Sequence, residues 1–160
     1  MKTYKLNFEL VPDACWYANL RSVLAAEQWD VIRKDAYARA KGKCMICGAA
    51  GRLEAHERWS YDDENLVQTL QTVIAVCRSC HEVIHIGRTQ LMGRGMEAME
   101  HFIRVNHCSQ MEFHDALGAA NELHKARNKK DTWTTDITWL KDKLKQLPPF
   151  TIKQKRKEKL

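Results

Sequence analysis

The spacing of apolar residues changes character several times along this chain, and each change marks a new element. Residues 1–15 carry no clear period and read as irregular or extended. From Trp16 to Ala40 the positions Leu20, Val23, Leu24, Trp29, Ile32, Tyr37 and Ala40 recur every three to four residues, which predicts one or two amphipathic helices. Gly42 ends that stretch. Leu53 to Trp59 reads as a strand, and Tyr61-Asp62-Asp63-Glu64-Asn65 has loop chemistry. Val67 to Val76, rich in β-branched side chains, reads as the return strand. Cys77 to Ile86 then turns helical, with Gly87 expected as its C-terminal cap. Further on, Met96, Met99, Phe102, Ile103 and Val105 form one apolar helix face. Ser109-Gln110-Met111-Glu112 matches a capping box that opens a helix to about Arg127. Thr132 to Lys145 predicts a short extended piece and a last helix, and Pro148-Pro149 ends the ordered part.

These elements make an α+β chain. Its parts are a helical lead-in (1–42), a strand–loop–strand–helix unit (43–90), a C-terminal helical segment packed on that unit or on a second subunit (91–147), and a basic tail (148–160). With 160 residues, 44% of them hydrophobic, the chain can bury a core. Only seven glycines and three prolines disfavour a many-turned sandwich. No apolar stretch approaches the roughly 20 residues of a membrane span, and charges occupy the positions where a signal peptide would be apolar, so a cytoplasmic location is expected. There the six cysteines are expected as metal ligands or thiols rather than disulfides. The net charge of +6 fits a polyanion-binding protein. Much of the excess lies in Lys153, Lys155, Arg156, Lys157 and Lys159, a solvated tail that can add non-specific phosphate affinity.

A cysteine pair sits at each end of the strand–loop–strand–helix unit: Cys44 with Cys47, and Cys77 with Cys80. Each Cys-x-x-Cys knuckle can occupy one edge of a tetrahedron, so the four thiolates are expected to bind a structural Zn²⁺ that has no open position and does no chemistry. Cys15 and Cys108 read as buried small residues. Directly after the second pair come His81 and His85, one helical turn apart and so projecting from the same face, which is half of a divalent-metal site. His56 lies in the strand before the loop, flanked by Glu54 and Glu57.

The residues Cys44-x-x-Cys47-Gly48, Leu53-Glu54-Ala55-His56-Glu57 and Cys77-x-x-Cys80-His81 resemble the HNH (ββα-metal) endonuclease family. The segment His81-x-x-x-His85-x-Gly87 is similar to the metal helix of the colicin DNases, and the likeness covers about residues 29–90. The resemblance implies a zinc-stapled ββα-metal core with flanking helices and hydrolysis of phosphodiester bonds, in DNA first of all. It implies His56 as general base and His81 with His85 holding a second divalent cation (Mg²⁺, Mn²⁺, Ni²⁺ or Zn²⁺). Arg58, Arg88 and Arg94 are the candidates for contacts to flanking phosphates.

Two positions depart from the family pattern. Ala55 stands where a metal-binding Asp or His precedes the base, and Thr72 stands where the central Asn is expected. Glu54 or Glu57 is a candidate for the missing ligand; on a strand Glu54 shares the face of His56 and Glu57 the opposite one. The departures keep a second reading open, an HNH scaffold that has lost cleavage and binds nucleic acid or a protein partner, such as a phage inhibitor's target. A third reading is a structural zinc protein that forms a homodimer. Trp16, Trp29, Trp59, Trp133 and Trp139 read as core or subunit contacts, and Met92, Met96 and Met99 as gap-fillers. His101, His107, His114 and His124 have no partner pattern.

Overall fold

The computed structural model describes residues 2–16 and 18–144; the expected basic tail, and the end of ordered chain placed at Pro148-Pro149, lie outside those residues. In chain order the elements are α1 (Leu20–Val23), α2 (Ala26–Ala40), β1 (Glu54–Asp62), β2 (Val67–Val76), α3 (Arg78–Ile84), α4 (Ile86–Leu91), α5 (Gly95–Asn106), α6 (Gln110–Asn128), β3 (Thr134–Asp136) and α7 (Thr138–Leu144). The fold is α+β, with a three-stranded sheet in the order β1-β2-β3.

β2 is the middle strand and its composition explains why. It pairs antiparallel with β1, from Glu54 opposite Val76 to Asp62 opposite Val67, and parallel with β3, from Val67 opposite Thr134 to Thr69 opposite Asp136. Side chains alternate across a strand. Ile74 and Val76 therefore enter one buried cluster with Leu6, Phe8, Val83, Ile84 and Phe102, while Val73 and Ala75 enter another with Leu20, Ile32, Ala36 and Leu140. The register shifts between Arg58 and Trp59: Thr72 faces Arg58 but Leu70 faces Trp59, leaving Gln71 unmatched. This bulge puts Leu70 and Val73, three apart, on the same face. The two cores run across the boundaries read from the sequence.

Phe102 is the hub of the first core. Its ring stacks on Phe8 at 5.0 Å and 4° and meets Phe113 edge-on at 5.3 Å and Tyr4 at 5.1 Å. The N-terminal segment is fastened there by Asn106, whose side-chain oxygen accepts from Leu6 N at 3.0 Å and whose amide donates to Leu6 O at 2.8 Å. Phe102→Ala is expected to cost about 3–5 kcal/mol, because a fully buried ring with three aromatic neighbours leaves a cavity that cannot collapse; urea unfolding measures it, and a loss under about 1 kcal/mol would show a plastic core.

Several expectations need correction. β1 continues to Asp62, three residues beyond Trp59, because Asp62 itself closes the turn by accepting from Glu64 N and Asn65 N. Gly87 caps nothing: the helix breaks at His85 (φ −98°, ψ 49°), Gly87 lies within α4, and the positive-φ stop is Gly93 (φ 76°). Thr89 makes the break tolerable, its hydroxyl donating to Glu82 O at 2.6 Å or His85 O at 3.1 Å. Met92 and Met96 are 61% and 65% exposed rather than gap-fillers; only Met99 is buried. Trp16 is exposed, while Trp29, Trp59 and Trp139 pack on the second core. Cys15 is buried, but Cys108 only partly.

Candidate metal centres

The first cluster forms where two turns meet. Cys44 and Cys47 sit in a tight loop closed by Cys44 N donating to Ala49 O at 2.9 Å and Gly48 N to Cys44 O at 2.9 Å. Gly48, at φ 79°, adopts a backbone that few other residues accept. Cys77 is the N-cap of α3 and Cys80 lies in its first turn. In each pair the first sulfur accepts from the backbone N–H of the second cysteine, Cys47 N at 3.5 Å and Cys80 N at 3.4 Å. The four Sγ atoms all lie within 4.8 Å of one another, so the set can hold a metal ion. The Cys47–Cys77 sulfur separation is 3.7 Å. A tetrahedral zinc with sulfur bonds of about 2.3 Å needs edges of about 3.8 Å, so the donors fit that ion.

Electrostatics favour the same conclusion. Burial pushes the Cys77 thiol up to about 11, and burial with the neighbouring Cys44 charge raises Cys80 further still. At Cys44 burial is outweighed by backbone N–H donors, which draw the thiol down to about 7. One thiolate is welcome and four together are not, unless a cation joins them. His101, to which sequence assigned nothing, places Nε2 3.2 Å from Cys80 Sγ.

The second cluster joins β1 to the α3–α4 break. His56 pairs with Ile74 and so faces the first core, where α3 packs. His81 is on α3 and His85 at its C-terminal cap. The ring centres are 5.4 Å apart for His56–His81, 5.2 Å for His56–His85 and 4.8 Å for His81–His85. One nitrogen from each ring falls within 4.8 Å of the other two, so these three also form a potential metal-ligand set. Carboxylates hold two of the rings from outside. Glu54 Oε2 lies 2.7 Å from His81 Nδ1, and Glu9 contacts His56 Nε2. A carboxylate only accepts, so these nitrogens carry the protons and leave His81 Nε2 and His56 Nδ1 as acceptors.

The sequence-nominated residues separate accordingly. Glu54 belongs to the site. Glu57 does not: it points to the opposite face, accepting from Leu20 N at 2.6 Å and Trp59 Nε1 at 3.1 Å, where burial raises its pKa. Thr72 lies in β2 opposite Arg58, two residues from the Ile74 that faces His56, and its hydroxyl donates to Val73 O at 3.4 Å; Asn65 is bonded to Asp62 in the hairpin turn. A cleft of about 790 Å³ opens over the cluster, lined by His81, His85, Glu54, Ala55, Trp29 and Arg88 among others. Arg88 is exposed there, with Arg21 and Arg52 on the same walls. Arg94 is instead committed to Glu82, with contacts of 2.9 and 3.1 Å, and Arg58 lies 3.6 Å from Glu9. Sequence reasoning missed Glu9, Arg21 and Arg52; nothing local distinguishes them, since their relevance depends on how the chain folds back.

Burial, then the neighbouring His56, His81 and Arg88, lowers the His85 pKa to about 3. His81 is lowered as well, burial outweighing the opposing pull of Glu54. Both rings are thus neutral near pH 7, with lone pairs available. A lowered histidine pKa means that the unfolded chain takes up protons the folded chain refuses. Above the ordinary value of 6.5 nothing is lost; below it, stability is expected to fall by up to about 1.4 kcal/mol per pH unit per histidine. Urea midpoints without added divalent ions, at about pH 7.5, 6 and 5, should drop across this window and drop less in His85→Gln. A flat profile would show that the rings protonate in the folded state.

No family model, curated protein or solved structure matches this chain. The fold and clusters define its class: an α+β chain with a set of four thiols and a set of three imidazoles, each able to hold a metal ion. No helix among the described residues is long and apolar enough to cross a membrane.

Proposed function

We propose that this chain is a metal-dependent endonuclease of the HNH (ββα-metal) type, hydrolysing phosphodiester bonds in DNA, with a structural zinc on Cys44, Cys47, Cys77 and Cys80. The observation that carries this reading is the convergence of His56, His81 and His85, from a hairpin and the helix after it, beneath a cleft with arginines on its walls. A single divalent ion at the imidazoles would polarise the phosphate and lower the pKa of a bound water. His81 and His85 would hold it, with Glu54 fixing the His81 tautomer. Arg88, Arg21 and Arg52 receive the phosphates on either side. Glu9 keeps the proton on His56 Nε2, which leaves Nδ1 as the acceptor nitrogen of a ring whose centre is 5.4 Å from His81 and 5.2 Å from His85.

The test is incubation of the protein, its tight zinc retained, with supercoiled plasmid and Mg²⁺, Mn²⁺, Ni²⁺ or Zn²⁺ in turn. Nicking supports hydrolysis. A second reading has its own observation: Ala55 lines the cleft and offers no donor. Tight binding of DNA or RNA without cleavage under any ion would make the chain a lapsed nuclease scaffold that now binds nucleic acid. Neither binding nor cleavage would sink both.

A further inference from the structure

We propose that His56 is the third ligand of the ion rather than the general base, so that the site is an all-imidazole centre for a borderline divalent cation of the zinc, cobalt or nickel class. This concerns the same cluster as the hydrolysis proposed above, but its test is metal binding, so the two can fail separately.

The argument begins with ring geometry. A tetrahedral ion with metal–nitrogen bonds of about 2.0–2.1 Å sets its imidazole ring centres roughly 5.2 Å apart. The three separations here are 4.8, 5.2 and 5.4 Å, so His56 stands in the relation to His81 and His85 that they have to each other. A base acting through an intervening water would stand further off than its two neighbours do.

The outer contacts follow the same pattern. A metal-bound imidazole typically donates its other N–H to a carboxylate, which fixes the tautomer and makes the ligating nitrogen more basic. His81 donates Nδ1–H to Glu54 and His56 donates Nε2–H to Glu9. Two rings on different elements thus each have a carboxylate on one nitrogen and an unprotonated nitrogen available as a ligand.

Access separates the two roles further. The His56 side chain is 4% exposed, and the cleft is lined by His81 and His85 but not by His56. A general base has to meet its water, whereas a ligand at the back of a site need not. Ala55 brings no donor, and His56 restores the count to three. Three neutral nitrogens with no first-sphere carboxylate suit borderline ions and serve Mg²⁺ poorly, since it demands oxygen ligands. His81 and His85 line the cleft, so an ion held by the three rings would lie beside it and could act as a Lewis acid on a substrate there.

Cobalt(II) is the probe. Titrated into wild-type protein whose thiol site keeps its zinc, it is expected to bind once more with the strong visible absorption of four-coordination, and millimolar Mg²⁺ should not displace it. His56→Ala is expected to weaken that binding at least about 100-fold and remove the absorption, with Glu9→Gln losing about 10–100-fold. Zinc content and the far-UV spectrum show whether each variant is folded. Should His56→Ala fail to fold, ¹⁵N spectra of histidine-labelled wild type decide the matter: binding of Zn²⁺ should shift ligating nitrogens on three rings. Wild-type affinity and absorption in folded His56→Ala, ring shifts confined to two histidines, or no second ion bound at all would each overturn the proposal. Three-ring binding without plasmid nicking would leave it standing and remove the hydrolase reading.

Discussion

Cys80→Ser is expected to abolish the folded state of this protein rather than weaken it. Cys80 is fully buried, and it belongs at once to the four-sulfur cluster and to the core formed by Val83, Ile84 and Phe102. Serine there replaces a soft ligand with a hydroxyl that has to find a partner inside an apolar cluster. The metal contribution dominates: structural zinc supplies about 10–16 kcal/mol in small thiolate sites, and a domain of this size is stable by about 5–15 kcal/mol altogether. The loop from Lys43 to Gly51 is otherwise tied to the rest by Ile46 in the first core and by Met45 N donating to Ala75 O at 2.9 Å, and these contacts alone are not expected to hold β1 and α3 together once the ion is gone. Zinc content by metal analysis and cooperative melting by circular dichroism test this. A variant that still melts cooperatively within a few degrees of wild type would show that the cluster is not what closes the fold. Zinc extraction by a strong chelator should give the same collapse in the wild type.

His81→Ala is expected to leave the fold standing and remove metal-dependent cleavage. The His81 side chain is 25% exposed on the wall of the cleft, so its loss opens no large cavity. It removes one of the proposed ligands and leaves Glu54 without its partner, its carboxylate then free to face water. Metal polarisation of a phosphate is worth several kcal/mol in the transition state, so nicking should fall at least about 10³-fold. The comparison that matters is between nicking rate and melting temperature in the same preparation. Unchanged nicking with an unchanged melt would place the chemistry elsewhere on the chain.

The parts of this fold that were legible in the sequence are those decided by local or continuous patterns. β2 was placed to the residue because Val67–Val76 is rich in β-branched side chains, and its apolar end, Val73 to Val76, is buried on both faces between the two cores. The capping box at Ser109 was equally plain, and it forms with Glu112 N donating to Ser109 Oγ at 3.1 Å. Gly87 misled because glycine is read as a stop, whereas here the break is set two residues earlier, where His85 turns toward the other imidazoles and Thr89 takes up the freed carbonyls. The exposure of Met92 and Met96 was hidden because periodicity marks an apolar face without saying whether anything covers it. Of the two clusters, the spacing of the cysteines and of His81 and His85 brought out residues that the structure places together. Glu9 was invisible, since it reaches His56 from 47 positions away through an extended segment held by Glu9 N donating to Ile84 O at 3.0 Å.

That segment has a consequence for when the site exists during synthesis. Leu6 and Phe8 are made well before the residues that seat them, Asn106, Phe102 and Phe113. Until α5 and the start of α6 have left the ribosome, the segment carrying Glu9 has its bond to Ile84 O but not these seats, so the pairing of Glu9 with His56 is expected to be weaker. The hairpin and thiol cluster can form earlier from residues 43–80, so zinc uptake should precede completion of the imidazole site. The set of four thiols can therefore be complete in a nascent chain before the set of three imidazoles has its outer carboxylate in place.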